Sequence, residues 1–294
     1  MGCEAIHTPD CIMHKHMLVD GRNLVYRAIF AGRGDHSFMA SGIDIFAVFA
    51  RFIHYYRNEF RPDSIHIFWD DESKNLWRTK LLPTYKGQRV DGDNVKRDVY
   101  RIIKVSLATY KTLGIRQYFR YGQEADDLIY AFTKVTNESL TIISSDGDLK
   151  QIDASHTSIY DPSRKSFTTV KIDPRFKALV GDKSDNISGY YKVGPKTANI
   201  LIEDEKKLKE FLLSDKSLDE NKTVVHNGLY DKNLKLVDLS LNPHLNENIE
   251  YVSSRFKSPI QYDYNLSLET LKKQNVKGMM REAYKLFNSF STLS

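Results

Sequence analysis

Met17-Leu18-Val19-Asp20-Gly21-Arg22-Asn23 decides the fold. A short apolar run that stops on a carboxylate and a glycine has the form of a strand buried on both faces, whose chain turns as soon as it leaves the sheet. The same form recurs in Ile65-His66-Ile67-Phe68, followed by Asp70 and Asp71, and in Leu140-Thr141-Ile142-Ile143, followed by Asp146. Between the first two, Phe46, Phe49, Ile53, Tyr56 and Phe60 keep helical spacing, with Ser41 and Asp44 placed as a capping box. Val95, Val99, Ile102, Leu107 and Tyr110 write a second helix, stopped by Gly114, and a third is expected from about Gln123 through Leu128, Ile129, Phe132 and Val135. Strands alternating with helices predict an α/β fold, a mainly parallel central sheet flanked by helices. Such sheets bind ligands beyond the carboxyl ends of their strands, which is where these aspartates fall. Past Asp146 the sequence predicts a hairpin over Ser158 to Val170, turning at Pro162-Ser163-Arg164. Helical segments are expected at Arg175 to Val180, Pro195 to Ile202 and Leu208 to Leu213. From Ser214 onward there is no repeat and little signal.

The composition agrees with a folded protein. In 294 residues, 41% hydrophobic and 28% charged, the net charge is +5. Twelve Lys/Arg against three Asp between Lys74 and Arg120 give that segment +9 and leave the remainder at about −4. This asymmetry points to a polyanionic partner. No apolar run approaches the roughly 18–20 residues that would span a bilayer, so no membrane partner is expected. The only cysteines, Cys3 and Cys11, cannot staple the body of the chain, and a reducing, cytoplasmic compartment follows. Cys3, Cys11, His14 and His16 imitate a metal site. The preferred reading makes residues 1–16 a non-essential leader or extension, followed by an α/β core over 17–173 and a helical region over 174–294.

Five acidic clusters carry the chemistry: Asp20; Asp70 in Phe-Trp-Asp-Asp; Glu124, Asp126 and Asp127; Asp146 and Asp148; Asp182 and Asp185. Any one alone reads as a cap or turn former. Together, three stand at one edge of the sheet, one opens a helix and one opens a loop before another helix. Carboxylates about 4 Å apart repel by roughly 4 kcal/mol per pair at an effective dielectric of 20, so a converged cluster needs cations. Oxygen donors without nearby His or Cys select Mg²⁺ or Mn²⁺ over Zn²⁺, and two such ions suit in-line displacement at phosphorus.

These residues also carry a family resemblance. Val-Asp-Gly-Arg-Asn, Tyr-Lys-Gly-Gln-Arg (85–89), Glu-Ala-Asp-Asp (124–127), Ser-Asp-Gly-Asp (145–148), Gly-Asp-Lys-Ser-Asp-Asn (181–186) and Val-Gly-Pro-Lys-Thr-Ala (193–198) occur in the order and spacing of the flap endonuclease/5′-nuclease family. The chain resembles a phage-type 5′-3′ exonuclease and is similar to the 5′-nuclease domain of bacterial DNA polymerase I, over about Leu18 to Leu239. The resemblance implies a divalent-metal-dependent hydrolase, flap endonuclease and 5′-3′ exonuclease, cutting near 5′ ends at single-strand/duplex junctions in replication or primer removal. Its partners would be DNA with 5′ flaps or ends, RNA–DNA hybrids, and single-strand-binding or replication proteins, with the enzyme a monomer. Carried over, Asp20, Asp70, Glu124 and Asp126 resemble ligands of a first metal site, and Asp146, Asp148, Asp182 and Asp185 those of a second. Asp127 would be shared or stand behind them. Asp71 competes with Asp70.

Lys74, Arg78, Lys80, Lys86 and Arg89, then Lys96, Arg97, Arg101 and Lys104, interleave with Trp77 and Tyr85, a combination suited to an unpaired strand. By resemblance, residues of about 71–112 form a helical arch, with Lys86 and Arg89 on the scissile phosphate. Tyr85 reads equally as a core or hinge aromatic. Gly194-Pro195 begins a helix whose free N–H groups suit a phosphate. By resemblance this is a helix–turn–helix-like duplex clamp that holds K⁺, with Lys177 and Lys196 as phosphate contacts. Lys192 stands where the family has glycine, which argues against a positive φ there. The alternatives are a non-catalytic junction-binding protein and a PIN-like ribonuclease. A haloacid-dehalogenase phosphatase fails because its nucleophile position holds Leu18.

Overall fold

The computed structural model describes residues 14–33, 42–88 and 93–273. Its centre is a six-stranded sheet in the order β3-β2-β1-β4-β5-β6, formed by β1 (His16–Asp20), β2 (Ser64–Phe68), β3 (Arg116–Tyr118), β4 (Leu140–Ile143), β5 (Thr157–Asp161) and β6 (Ser166–Phe167). All neighbours are parallel except β5 and β6, the expected hairpin, in which Tyr160 faces Phe167. Side chains alternate across a strand, so Met17 and Val19 enter the core under α1 (Gly21–Arg33), α2 (Gly42–Phe60) and α4 (Asp93–Thr109). Leu18 points to the opposite core, beneath α5 (Ala125–Phe132) and α10 (Leu245–Lys257).

The apolar pattern announces neither α1 nor β3. The buried face of α1 is only Leu24, Val25, Ala28 and Ile29, and β3 is a three-residue edge strand, Arg-Gln-Tyr, with no apolar run. Gly21 is required by close approach: a Cβ there would lie 2.5 Å from Trp69 Cε3 and 2.7 Å from the Phe68 carbonyl oxygen. The helix expected through Val135 ends at Phe132, and the Ser41–Asp44 box falls outside the described side chains.

A third core belongs to the helical C-terminal region. It joins α6 (Pro174–Val180), the two-stranded β7 (Gly181–Asp182) and β8 (Ile187–Ser188), α7 (Pro195–Glu203), α8 (Glu205–Leu212) and α9 (His226–Val237), with α11 (Tyr264–Lys273) lying instead on α4. Leu76 and Tyr85, flanking α3 (Trp77–Leu81), are buried in that third core. The first half of the basic segment is therefore clasped by the C-terminal region. Its second half, α4, packs Val99, Ile102 and Val105 into the sheet core and leaves Lys96 and Lys104 exposed, with Arg101 half-buried.

At the amino end of the strands, polar groups satisfy one another. His16 Nε2 meets Glu138 Oε2 at 2.8 Å, His16 Nδ1 meets Ser64 Oγ at 2.7 Å, Ser64 Oγ meets His66 Nε2 at 2.7 Å, and His66 Nδ1 meets Tyr118 Oη at 2.9 Å. With Glu138 ionised, one orientation satisfies every link: Tyr118 donates to His66, His66 to Ser64, Ser64 to His16 and His16 to Glu138. The strand thus begins at His16, inside the segment expected to be a leader, and the Lys15 carbonyl accepts from the Asp63 and Ser64 amides. Cys3 and Cys11 lie outside the described residues. His14 bonds Thr141 and stacks on Phe167.

Candidate metal centre

At the carboxyl ends of the strands, the expected carboxylates gather. Asp20, 7% exposed, accepts from the Asn23 amide at 3.0 Å and from Ser144 Oγ at 2.9 Å. Asp70 accepts from the Ala125 amide at 3.0 Å, tying the end of β2 to the start of α5. Asp71 turns away: its oxygens take the Glu72 amide, Asn75 Nδ2 and the Gly122 amide, which makes it a loop organiser and leaves Asp70 for the cleft. Asp146 is exposed and accepts from the Asp148 amide, so the Ser-Asp-Gly-Asp turn presents both aspartates.

Glu124 and Asp127 cap α5 reciprocally, each accepting from the other's backbone. Asp127 belongs to the first carboxylate group and is also the partner of Arg78. Arg78 binds it in bidentate fashion, Nη1 to Oδ2 at 2.8 Å and Nη2 to Oδ1 at 2.9 Å, while Trp77 Nε1 and the Glu124 amide also donate to Oδ2. Arg78 also reaches Glu124 Oε2 at 2.8 Å and the Leu236 carbonyl at 2.8 Å, and is 2% exposed. Trp77 and Arg78, expected on a nucleic-acid surface, are instead the internal clasp between α5 and α9. Charge and spacing cannot distinguish an inward arginine from an outward one. The only local signal is that Arg78 sits among the apolar Leu76, Trp77, Leu81 and Leu82.

Asp148, Asp182 and Asp185 form the second group, and Glu124, Asp126 and Asp127 the first. Within each, one carboxylate oxygen per residue lies within 4.8 Å of the others. Lys177, expected to contact duplex phosphate, lies in the second group: its Nζ bonds Asp148 Oδ1 and lies 2.6 Å from Asp182 Oδ2. The β7–β8 turn that carries Asp182 and Asp185 depends on close backbone approach. Gly181 has φ +81°, and a Cβ there would lie 2.4 Å from the Gly189 nitrogen.

Tyr85 and Lys86 bridge the two groups. The Tyr85 hydroxyl lies 2.9 Å from Glu124 Oε2 and 3.0 Å from Asp185 Oδ2, while Lys86 Nζ bonds Glu124 Oε1 and lies 3.9 Å from Asp185 Oδ2. Tyr85, 5% exposed, is thus a core aromatic whose polar tip enters the site. The Lys86 amide donates to the Asp185 carbonyl, and Lys86 holds φ +54°. Arg89 lies outside the described residues. Lys96 and Lys196 are exposed and Arg101 is half-buried; Gly194 caps α7 in an extended conformation with open space at its Cβ position. Lys192 does take a positive φ, +58°, contrary to the expectation from its side chain. Asn23, the last residue of the Val-Asp-Gly-Arg-Asn motif, and Ser144, which no quoted motif includes, orient Asp20 and the 144–146 turn.

The electrostatics identify a site short of positive charge. Burial, reinforced by Asp70 and Asp146, pushes Asp20 up to about 7; burial and Asp146 push Asp148 up to about 6. Burial also raises Asp70, and burial with Asp127 and Glu124 raises Asp126 well above the carboxylate range. Glu124 goes the other way: burial opposes its ionisation, but Lys86 and Arg78 together hold it down at about 2. Lys177 is raised against the effect of burial by Asp148 and Asp182. An oxygen-only donor set, charged faster than its own cations compensate, fits hard divalent metals.

An α/β sheet bearing two carboxylate groups at its carboxyl edge, one backed by a helical hairpin region, defines the class: a metal-site protein of the 5′-nuclease fold. Residues 15–177, more than half of the chain, match the family described as 5′-3′ exonuclease, N-terminal resolvase-like domain, and the chain belongs to that family. DNA polymerase I of Streptococcus pneumoniae (strain ATCC BAA-255 / R6) is 32% identical over 211 residues, covering 64% of this chain and 24% of the polymerase. The 5′-3′ exonuclease of Aquifex aeolicus is 27% identical over 302 residues, covering 94% of this chain and 98% of that one. The chain therefore spans about a quarter of the length of the DNA polymerase I relatives it matches. Among solved structures, the T5 D15 protein co-crystallised with metal ions superposes with a TM-score of 0.64 at 20% identity, covering 92% of this chain and 100% of that one. At that identity the likeness establishes the fold. Among the described residues no helix is long and apolar enough to cross a membrane.

Proposed function

We propose that this protein is a divalent-metal-dependent 5′ nuclease that hydrolyses phosphodiesters near 5′ ends at single-strand/duplex junctions. The observation that carries this reading is the pair of carboxylate groups joined by Tyr85 and Lys86, in a chain of the 5′-3′ exonuclease family. Asp20, Asp70, Glu124 and Asp126 would hold one Mg²⁺ or Mn²⁺, and Asp146, Asp148, Asp182 and Asp185 another. Such ions supply a nucleophilic hydroxide at neutral pH and offset charge on the attacking and leaving oxygens. Asp127 holds Arg78, and Arg78 keeps the first group in place.

Lys86 is the cation between the two groups and the one best placed to meet an incoming phosphodiester, with Arg89 as its neighbour in sequence. Lys177 neutralises the second group, while Lys196, Gly194 and the first turn of α7 contact duplex phosphates; Lys96 and Arg101 contribute from α4. Lys192 holds φ +58° in the turn before α7, where K⁺ would bind. The substrates are DNA flaps and ends or RNA–DNA hybrids, in replication or primer removal in the cytoplasm, with the enzyme acting as a monomer.

A 5′-labelled flap and a matched RNA–DNA duplex test this, each with Mg²⁺ and with chelator. Metal-dependent release of short 5′ products is expected, with turnover in Lys86→Ala depressed by about 10²-fold and duplex affinity little changed, because a charge aimed at the reacting phosphate acts mainly in the transition state. Full hydrolysis in chelator would remove the reading.

A further inference from the structure

A second concave site lies away from the carboxylates. Leu107, Lys111, Gly114–Gln117, Arg255 and Ser258–Gln261 line a cavity of about 400 Å³ beside the outer edge of β3. Arg116 pairs in register with His66, four residues before Asp70, so at roughly 3.3 Å per residue the cavity stands on the order of 13 Å from the metal centre along β2.

The cavity wall is fixed. The Gly114 amide donates to the Gln261 carbonyl at 3.1 Å, the Asp263 amide to the Thr112 carbonyl at 2.8 Å, and Arg116 Nη2 to the Ser258 carbonyl at 2.9 Å. Gly114 has φ +76°, and a Cβ there would lie 2.2 Å from Tyr262 Cε1, so segment 258–262 follows 112–116 closely.

Its charge is one-sided. Lys111, Arg116 and Arg255 contribute three cations, and no carboxylate lines the cavity among the described residues. Arg255 Nε donates to the Tyr251 hydroxyl and its guanidinium lies over the Tyr251 ring, and Arg116 stacks on Phe256 with its Nε buried and lacking an acceptor. Between these cations lie Leu107, Ile115, Pro259 and Ile260. Phosphate backbones are met by extended basic surfaces, whereas apolar walls beside cations in a half-open cavity suit a ligand that brings both carboxylates and apolar side chains.

We propose that this cavity is a docking site for a short acidic segment of a partner protein, its carboxylates on Lys111, Arg116 and Arg255 and its apolar side chains against Leu107, Pro259 and Ile260. The volume accommodates a few residues, so the recognised element is a peptide terminus or loop tip.

The test is fluorescence anisotropy of the full chain with a labelled decapeptide alternating Asp or Glu with Leu, beside the same peptide with Asn and Gln for the acids, and a labelled ten-nucleotide poly-dT. Lys111→Glu/Arg255→Glu reverses two exposed cations that take no part in the proposed metal centre, and its melting temperature reports that it folds. Saturable binding of the acidic peptide is expected, with shifts confined to the Gly114, Gln117 and Gln261 amide resonances. The double variant should bind it at least tenfold more weakly and cleave a naked flap at the parent rate. Equal binding of the neutral peptide, no saturation, or indifference to the charge reversal would overturn the proposal. So would poly-dT shifting the same amides at lower concentration, which would make the cavity a phosphate site.

Discussion

The two ends of the same parallel strands are solved in opposite ways. At the amino ends, Glu138, His16, Ser64, His66 and Tyr118 form a chain in which each donor has an acceptor. At the carboxyl ends, Asp20, Asp70, Asp126 and Asp148 are all pushed toward protonation by burial and by neighbouring carboxylates. A self-satisfied polar network stabilises the fold and asks for nothing from outside. A frustrated one stores an electrostatic deficit that a bound cation relieves, and so marks function.

The largest effect expected from breaking this contrast is at the frustrated end. Asp148→Asn keeps the size of the side chain and removes one charge, so flap hydrolysis should fall by about 10²–10³-fold while the melting temperature holds or rises. Near-parental rates with a lowered melting temperature would make Asp148 a structural turn residue.

Arg78→Met comes next, read in stability rather than rate. It leaves Asp127 and Glu124 buried without their cation and should cost about 3–5 kcal/mol in denaturant unfolding. A loss below about 1 kcal/mol would mean that Lys86 and water compensate, and that Arg78 is not the clasp.

The contrast also has a pH signature. Asp20 sits at about 7 against an ordinary 3.8, so the folded, metal-free protein holds that proton more tightly than the unfolded chain, and this stability is lost as pH rises from about 4 through 7. Burial, then His16 and Arg116, lowers His66 well below 6.5, so its contribution has the opposite sign: present above about 6.5 and lost as pH falls. In chelator Asp148, pushed up to about 6, and the raised Asp70 and Asp126 add to the slope of Asp20 and outweigh His66, so the melting temperature should fall between pH 4 and 6.5. With Mg²⁺ the melting temperature should climb over that range, opening a gap of about 5 °C or more by pH 7. A gap independent of pH would place the metal away from Asp20.

The smallest effect belongs to the satisfied end. Ser64→Ala deprives His16 Nδ1 of a donor and His66 Nε2 of an acceptor, which should cost about 1–3 kcal/mol with no change in hydrolysis rate at saturating Mg²⁺. A rate defect in a stable Ser64→Ala protein would connect the two ends and dissolve the comparison.

Much of this was legible in the chain itself, because the physics involved is local. Apolar runs ending on carboxylates specify buried parallel strands and the edge where Asp20, Asp70 and Asp146 stand; glutamate and aspartate three residues apart at 124 and 127 specify a helix start. Like charges that recur at those points imply cations whatever the detailed packing. The tertiary structure alone decided where each charge points. Asp71 and Asp70 are adjacent and chemically identical, yet one is consumed by loop amides and the other faces the cleft. Charge interleaved with aromatics places Arg78 on a nucleic-acid surface, and the family resemblance places Lys177 there, but contacts 49 residues and 29 residues distant in sequence turn them inward onto Asp127 and Asp148. Whether a side chain is partner, ligand or clasp depends on long-range contacts made when the C-terminal helices close over residues 76–86, and sequence spacing carries no record of them.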